Sequence, residues 1–204
     1  MKKILFAVVL IACSVVTNAQ FRIGAKGGLS LTNQYRKDAK GYTQYDTKSH
    51  TEFQAGFIGE ARLSENMYLQ PQLLYSRKGS THSSKTGPAT SVKMSYAELP
   101  VILMYKKEVP FATVFAGAGP VFGYAFSGEL VQNKQTKKMF SDDIKNFKHN
   151  ELSANVTAGV ELSSGLFASL SYQKGFSDIY KADEVTISNN SLALTVGYFL
   201  KKRK

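Results

Sequence analysis

The stretch 151-ELSANVTAGVELSSGLFASLSYQKG-175 decides the fold. Leu152, Ala154, Val156, Ala158, Val160 and Leu162 alternate with Ser153, Asn155, Thr157, Gly159 and Glu161. Past Ser163, Ser164 and Gly165, Leu166, Ala168, Leu170 and Tyr172 alternate with Ser169, Ser171 and Gln173. A period of two marks strands with one apolar face. The spacing predicts a hairpin turning at 163–165 and leaves open whether the apolar row meets a protein core or lipid.

The same alternation predicts strands near 21–31, 51–63, 67–79, 92–105, 110–126, 151–162, 166–177 and 190–200. No long segment carries a 3.6 period. The count of eight is even, and most segments reach the roughly 9–11 residues that a tilted strand needs to cross a bilayer. Loop length then separates two architectures. The connections at 64–66, 106–109 and 163–165 are tight, whereas those near 32–50, 80–91, 127–150 and 178–189 are long. Strict alternation of short and long predicts an all-β, eight-stranded antiparallel transmembrane barrel, an up-and-down meander with periplasmic turns and outward loops. A soluble lipocalin-like barrel with a ligand inside is the rival, but it carries no such loop obligation.

The parity of charge agrees. One row holds Arg22, Gly24, Lys26, Ser30, Gln54, Glu60, Arg62, Gln70, Gln72, Ser76, Lys78 and Glu98, and the other is dominated by Leu, Val, Ile and Phe. An Arg or Lys facing lipid at mid-bilayer costs about 2–4 kcal/mol, so the polar row is expected in the lumen. Tyr75, Tyr105, Phe122, Tyr124, Phe126, Tyr172 and Tyr198 fall near strand ends on the apolar parity, as interfacial girdles do. Pro71 and Pro100 lie within strands of a closed sheet and predict irregular ladder bonding, because proline has no N–H to donate.

The first nineteen residues read as a secretory signal: Lys2 and Lys3, an apolar run from Ile4 to Val16, and a cut after Ala19, leaving a barrel domain over 20–204. The apolar run is short for a spanning helix, which needs about 20 residues. Cys13, the single cysteine, lies inside this segment, so the mature chain is expected to carry no disulfide. Loss of Lys2 and Lys3 lowers the formal charge from +11 to about +9. No nucleic-acid motif accompanies this charge, and a surface facing anionic lipid is the expected use of it.

The segments FRIGAKGGLSLTN (21–33), YLQPQLLYSRKG (68–79), YAELPVILMY (96–105), FAGAGPVFGY (115–124) and TAGVELSSGLFASLSYQKGFSDI (157–179) together resemble the PorT-like outer-membrane β-barrel family of Gram-negative bacteria. The resemblance covers essentially the whole mature chain. It implies an eight-stranded barrel with both termini in the periplasm; one member type is linked to protein secretion. Such barrels usually end in an aromatic residue recognised at insertion. Here Tyr198 or Phe199 is followed by Leu200 and the basic run 201–204.

An eight-stranded interior is just wide enough for side chains to fill, so a wide channel is not expected. Counting from the turns places Arg22, Arg62 and Glu161 in a low layer and Lys26, Glu60 and Glu98 higher; confined charges need partners, and a lumenal network is expected among these six. A small porin and a rim-located lipid-modifying enzyme are the alternative functions. His50, His82 and His149 fall in or beside the long loops, but none has an orienting partner at short spacing, so no enzyme is expected. His149 with Glu151, and Asp142 with Asp143, fall short of a metal site. Gly24, Gly27 and Gly28 precede no helix and make no phosphate cradle; no cofactor is expected. The loop 127–150 carries Lys134, Lys137, Lys138, Lys145 and Lys148 with Met139, Phe140, Ile144 and Phe147 at approximately helical spacing, a candidate surface for lipopolysaccharide or an envelope protein partner.

Overall fold

A computed structural model describes residues 21–38, 46–83, 90–132, 135–139, 148–177 and 185–200. The signal segment lies outside the described residues, as do Lys134, Phe140, Lys145 and Phe147. The elements are β1 (Phe21–Asp38), β2 (Asp46–Arg62), β3 (Met67–Ser83), β4 (Thr90–Val109), β5 (Ala112–Gln132), β6 (Gln135–Met139), β7 (Asn150–Glu161), β8 (Leu166–Gly175) and β9 (Val185–Phe199).

Every pairing is antiparallel. β1 pairs β2 and β9, the sequence neighbours pair in turn, and β4–β5 and β5–β7 complete the ring, so eight strands close on themselves without an edge. The ninth strand, β6, is an addition. It pairs the far end of β5 at Gly128–Gln132, beyond the point where β7 begins opposite Tyr124. Gly128–Gln132 and Gln135–Met139 thus form a hairpin that prolongs the wall; of the apolar residues at helical spacing, Met139 lies on β6, while Phe140, Ile144 and Phe147 lie outside the described residues. Gly128 faces Met139 in the first of its rungs, and Met139 is buried.

The closed barrel turns its polar side inward. Leu29, Phe57, Leu73, Val156, Leu170 and Leu194 are more than half exposed, while Ser76, Glu98, Ser171 and Thr195 are buried. All seven girdle aromatics lie on the exposed face.

Two details depart from the sequence expectation, and a third bears it out and extends it. β4 runs on to Val109, so 106–109 is strand and the turn is Pro110–Phe111; alternation persists because Lys106 points inward. Bordering the long connections, β1 runs on to Asp38, β2 begins at Asp46, β5 reaches Gln132 and β9 begins at Val185, whereas β8 ends at Gly175, short of its expected end. At three places the ladder omits two successive rungs, Gly59–Pro71 with Glu60–Gln70, Gln72–Pro100 with Leu73–Leu99, and Val101–Pro120 with Ile102–Gly119; each place contains a proline, so Pro120 joins the two expected irregularities.

Glycines make tight closure possible where β1 meets β9. A Cβ on Gly28 would lie 2.7 Å from the Thr195 Cα. The turn between β7 and β8 uses Gly165 at φ +95°, a left-handed conformation that favours glycine.

Candidate functional site

Strand alternation points every second side chain inward, and eight strands crowd the charged ones into two layers. Near the short-turn end, Arg22 from β1 donates from Nη1 and Nη2 to Glu161 of β7 at 2.5 and 2.7 Å, and from Nε to Glu60 of β2 at 2.8 Å. Lys106 of β4 lies 2.6 Å from Glu60 and 2.8 Å from Glu161. Gln70 donates to Glu60 at 2.6 Å. Two cations and two carboxylates therefore close a ring across four strands, which offsets the desolvation each would suffer alone.

Aromatic faces surround this ring. The Arg22 guanidinium carbon is 3.8 Å from the Phe199 ring centre, and the Lys106 ammonium is 5.3 Å from Phe199 and Tyr68 and 5.5 Å from Phe115. Phe115, Phe167 and Phe199 pack on one another with Ile58, Ile102 and Met104 inside the barrel. Phe199 is buried in the lumen, while Tyr198 faces outward and is about half exposed. Of the two terminal aromatics, Tyr198 alone presents its ring to the outside.

The second layer lies toward the long loops. Lys78 is 2.8 Å from both Glu98 and Glu151. Ser76 and Gln173 donate to Glu98 at 2.8 and 2.9 Å, and Asn189 donates to Glu151 at 2.6 Å and to the Tyr96 hydroxyl at 3.1 Å. Val92, Met94 and Met139 are buried on the same parity beyond it. Between the layers is a cavity of about 20 Å³, lined on its polar side by Lys26, Gln70, Gln72, Asn155, Thr157 and Ser169. That volume suits about one water molecule.

Of the six residues singled out as a lumenal network, Arg22, Glu60 and Glu161 meet in the lower layer, Glu98 lies in the upper one and Lys26 lines the cavity between them. Arg62 is a correction. Its guanidinium donates to the carbonyls of Ser64 and Glu65 at 3.2 and 3.3 Å, because it is the last residue of β2 and the chain turns before the lumen can enclose it. The expected network left out Lys78, which its parity had already placed in the polar row, and also Lys106 and Glu151, which parity could have found: Lys106 is an even step from Glu98 and Glu151 from Ser153. With these added, Arg22, Lys26, Lys78 and Lys106 balance Glu60, Glu98, Glu151 and Glu161.

The loop histidines separate. The His149 ring stacks on Tyr124 at 5.3 Å while Glu151 points inward, so the two do not converge on a metal. His50 Nε2 is 2.6 Å from the Thr81 hydroxyl, but its Nδ1 is 4.0 Å from Glu52, beyond hydrogen-bond reach. Lys137 and Lys138 lie exposed on β6.

A closed antiparallel ring with an apolar exterior, aromatic girdles and a polar filled interior defines an integral outer-membrane β-barrel. The chain belongs to the outer membrane protein beta-barrel domain family, whose profile matches residues 17–181. Its fold is similar to that of the outer membrane protein OprG from Pseudomonas aeruginosa, with 11% identity over 88% of this chain and 95% of that one and a TM-score of 0.50. Ail, the attachment invasion locus protein of Yersinia pestis, aligns at 14% identity over 88% of this chain and 99% of that one, with a TM-score of 0.45. No curated protein sequence matches. The protein is thus an integral outer-membrane barrel of the Gram-negative type.

Proposed function

We propose that this barrel is a closed, non-conducting envelope protein with a structural or interaction role, without a catalytic centre or cofactor. The observation that carries this reading is the filled lumen. Two ion-paired layers and an aromatic cluster occupy it, and the cavity between them has room for about one water. Opening a path would require separating buried charges from partners that are themselves hydrogen-bonded. Both termini lie in the periplasm and the long loops outside, a direction supported by the loop asymmetry. The PorT-like segments support placing the protein among barrels linked to secretion, where β6 and the loop around it would meet lipopolysaccharide or an envelope partner.

Single-channel recording in planar bilayers tests the reading. Purified, folded protein is expected to give no steady conductance; stable openings would establish the porin alternative.

A further inference from the structure

Charge is divided unevenly over the barrel's exterior. Among the described residues with placed side chains, the short-turn end shows Arg62 and Lys107 against Glu65 and Glu108. The long-loop end shows Arg77, Lys93, Lys137, Lys138, Lys148 and Lys174 against Glu129. Inside the barrel Arg22, Lys26, Lys78 and Lys106 face Glu60, Glu98, Glu151 and Glu161, and the further buried carboxylate of Glu52 pairs with Arg77, which leaves the other outer cations in excess.

Register gathers three of the cations on one sector. Gly79, Lys93, Glu129 and Lys138 form one line across β3, β4, β5 and β6, and Arg77, Ser95 and Ser127 form the line next to it toward the apolar band. Directly below lies an aromatic cluster: Phe53 to Tyr75 is 5.5 Å between ring centres and Tyr75 to Phe126 is 6.0 Å. The Arg77 guanidinium carbon is 6.0 Å from the Phe53 ring centre, and its Nε is 3.6 Å from the buried Glu52. The Tyr75 and Ser95 hydroxyls, 3.2 Å apart, sit between cations and rings. A wall that passes from aliphatic to aromatic to cationic along one sector complements a molecule that passes from acyl chain to phosphorylated headgroup.

We propose that the outward face of β3–β6 docks a phosphorylated glycolipid of the outer leaflet, with Arg77, Lys93 and Lys138 on its phosphates and Phe53, Tyr75 and Phe126 at the head of its acyl chains. The proposal rests on the reading that the long loops face outward. Glu129 stands between the two lysines in the ladder, and the headgroup sits over the three cations with its chains on the apolar band.

The test uses the full folded barrel in detergent, with lipid A and the same lipid A stripped of phosphate as probes. The phosphorylated form is expected to bind about tenfold more tightly. The combined Arg77→Gln, Lys93→Gln and Lys138→Gln variant should lose that preference, and Lys107→Gln at the opposite end should keep it. Where the triple variant fails to fold, Lys93→Gln and Lys138→Gln alone should each reduce the preference about twofold. Equal binding of the two lipids, or a preference that survives these substitutions, would overturn the docking site. A Lys137→Cys variant probed with a membrane-impermeant maleimide on intact cells separates the two readings. Labelling keeps the outward orientation whatever the lipid result, and protection that ends only on lysis overturns orientation and docking together.

Discussion

Arg22 and Glu161 stand 139 residues apart in the chain and meet in a two-pronged ion pair, 2.5 and 2.7 Å, inside the barrel. The pair ties the first strand to the seventh, and through Glu60 and Lys106 the tie extends to β2 and β4. Charge balance within this ring is what makes its burial tolerable.

Glu161→Gln leaves two cations sharing Glu60 alone, and breaking a buried pair in this way costs about 3–5 kcal/mol. Adding Lys106→Met to Glu161→Gln restores one cation to one carboxylate and should recover about 1–2 kcal/mol. Urea unfolding in lipid vesicles, read by heat-modified gel mobility, measures both. A double variant no more stable than the single one would show that balance is not the governing term.

Phe199 and Tyr198 are adjacent, and the barrel wall assigns them opposite surroundings. Phe199→Ala removes a lumenal ring packed against Phe167 and Arg22, and should destabilise by about 3–5 kcal/mol. Tyr198→Ala, at the outer face, should cost about 1 kcal/mol. If insertion in cells instead fails with Tyr198→Ala alone while refolding in vitro is unchanged, the outward ring is acting in assembly.

Leu170 is exposed beside Leu194, its partner on β9. Leu170→Arg should cost about 2–4 kcal/mol in a bilayer. A substitution without effect there would place Leu170 in water.

Gly165→Ala meets strain on two counts: the residue holds φ +95°, and the added Cβ would lie 2.8 Å from the Phe199 carbonyl oxygen. The expected loss is about 1–2 kcal/mol. Equilibrium unfolding of the purified variant against the parent checks it.

The fold was legible because a barrel in lipid reverses the usual sides of a sheet without changing its period. From Leu152 to Tyr172 the alternation identifies strands, and the short Ser163–Gly165 turn beside the long connections identifies a membrane barrel. Periodicity gave poor guidance at element ends. Lys106 was read as turn because KKEV is polar, yet its inward side chain keeps β4 in step to Val109. The β5–β6 hairpin was hidden for a related reason. Gln135 to Lys138 carries no apolar alternation to mark a strand, and only the pairing of Gly128–Gln132 with 135–139 defines it.

Sequence alone determined which parity is polar and therefore which side chains are directed toward the lumen, since a one-residue slip would carry the inward charges into lipid. Only the tertiary structure decided which of them meet. Arg22 reaches Glu60 and Glu161, Lys78 reaches Glu98 and Glu151, and Arg62 turns away to backbone carbonyls. Those outcomes depend on register and closure across strands distant in sequence, and on which strand ends before the lumen can enclose its last side chain.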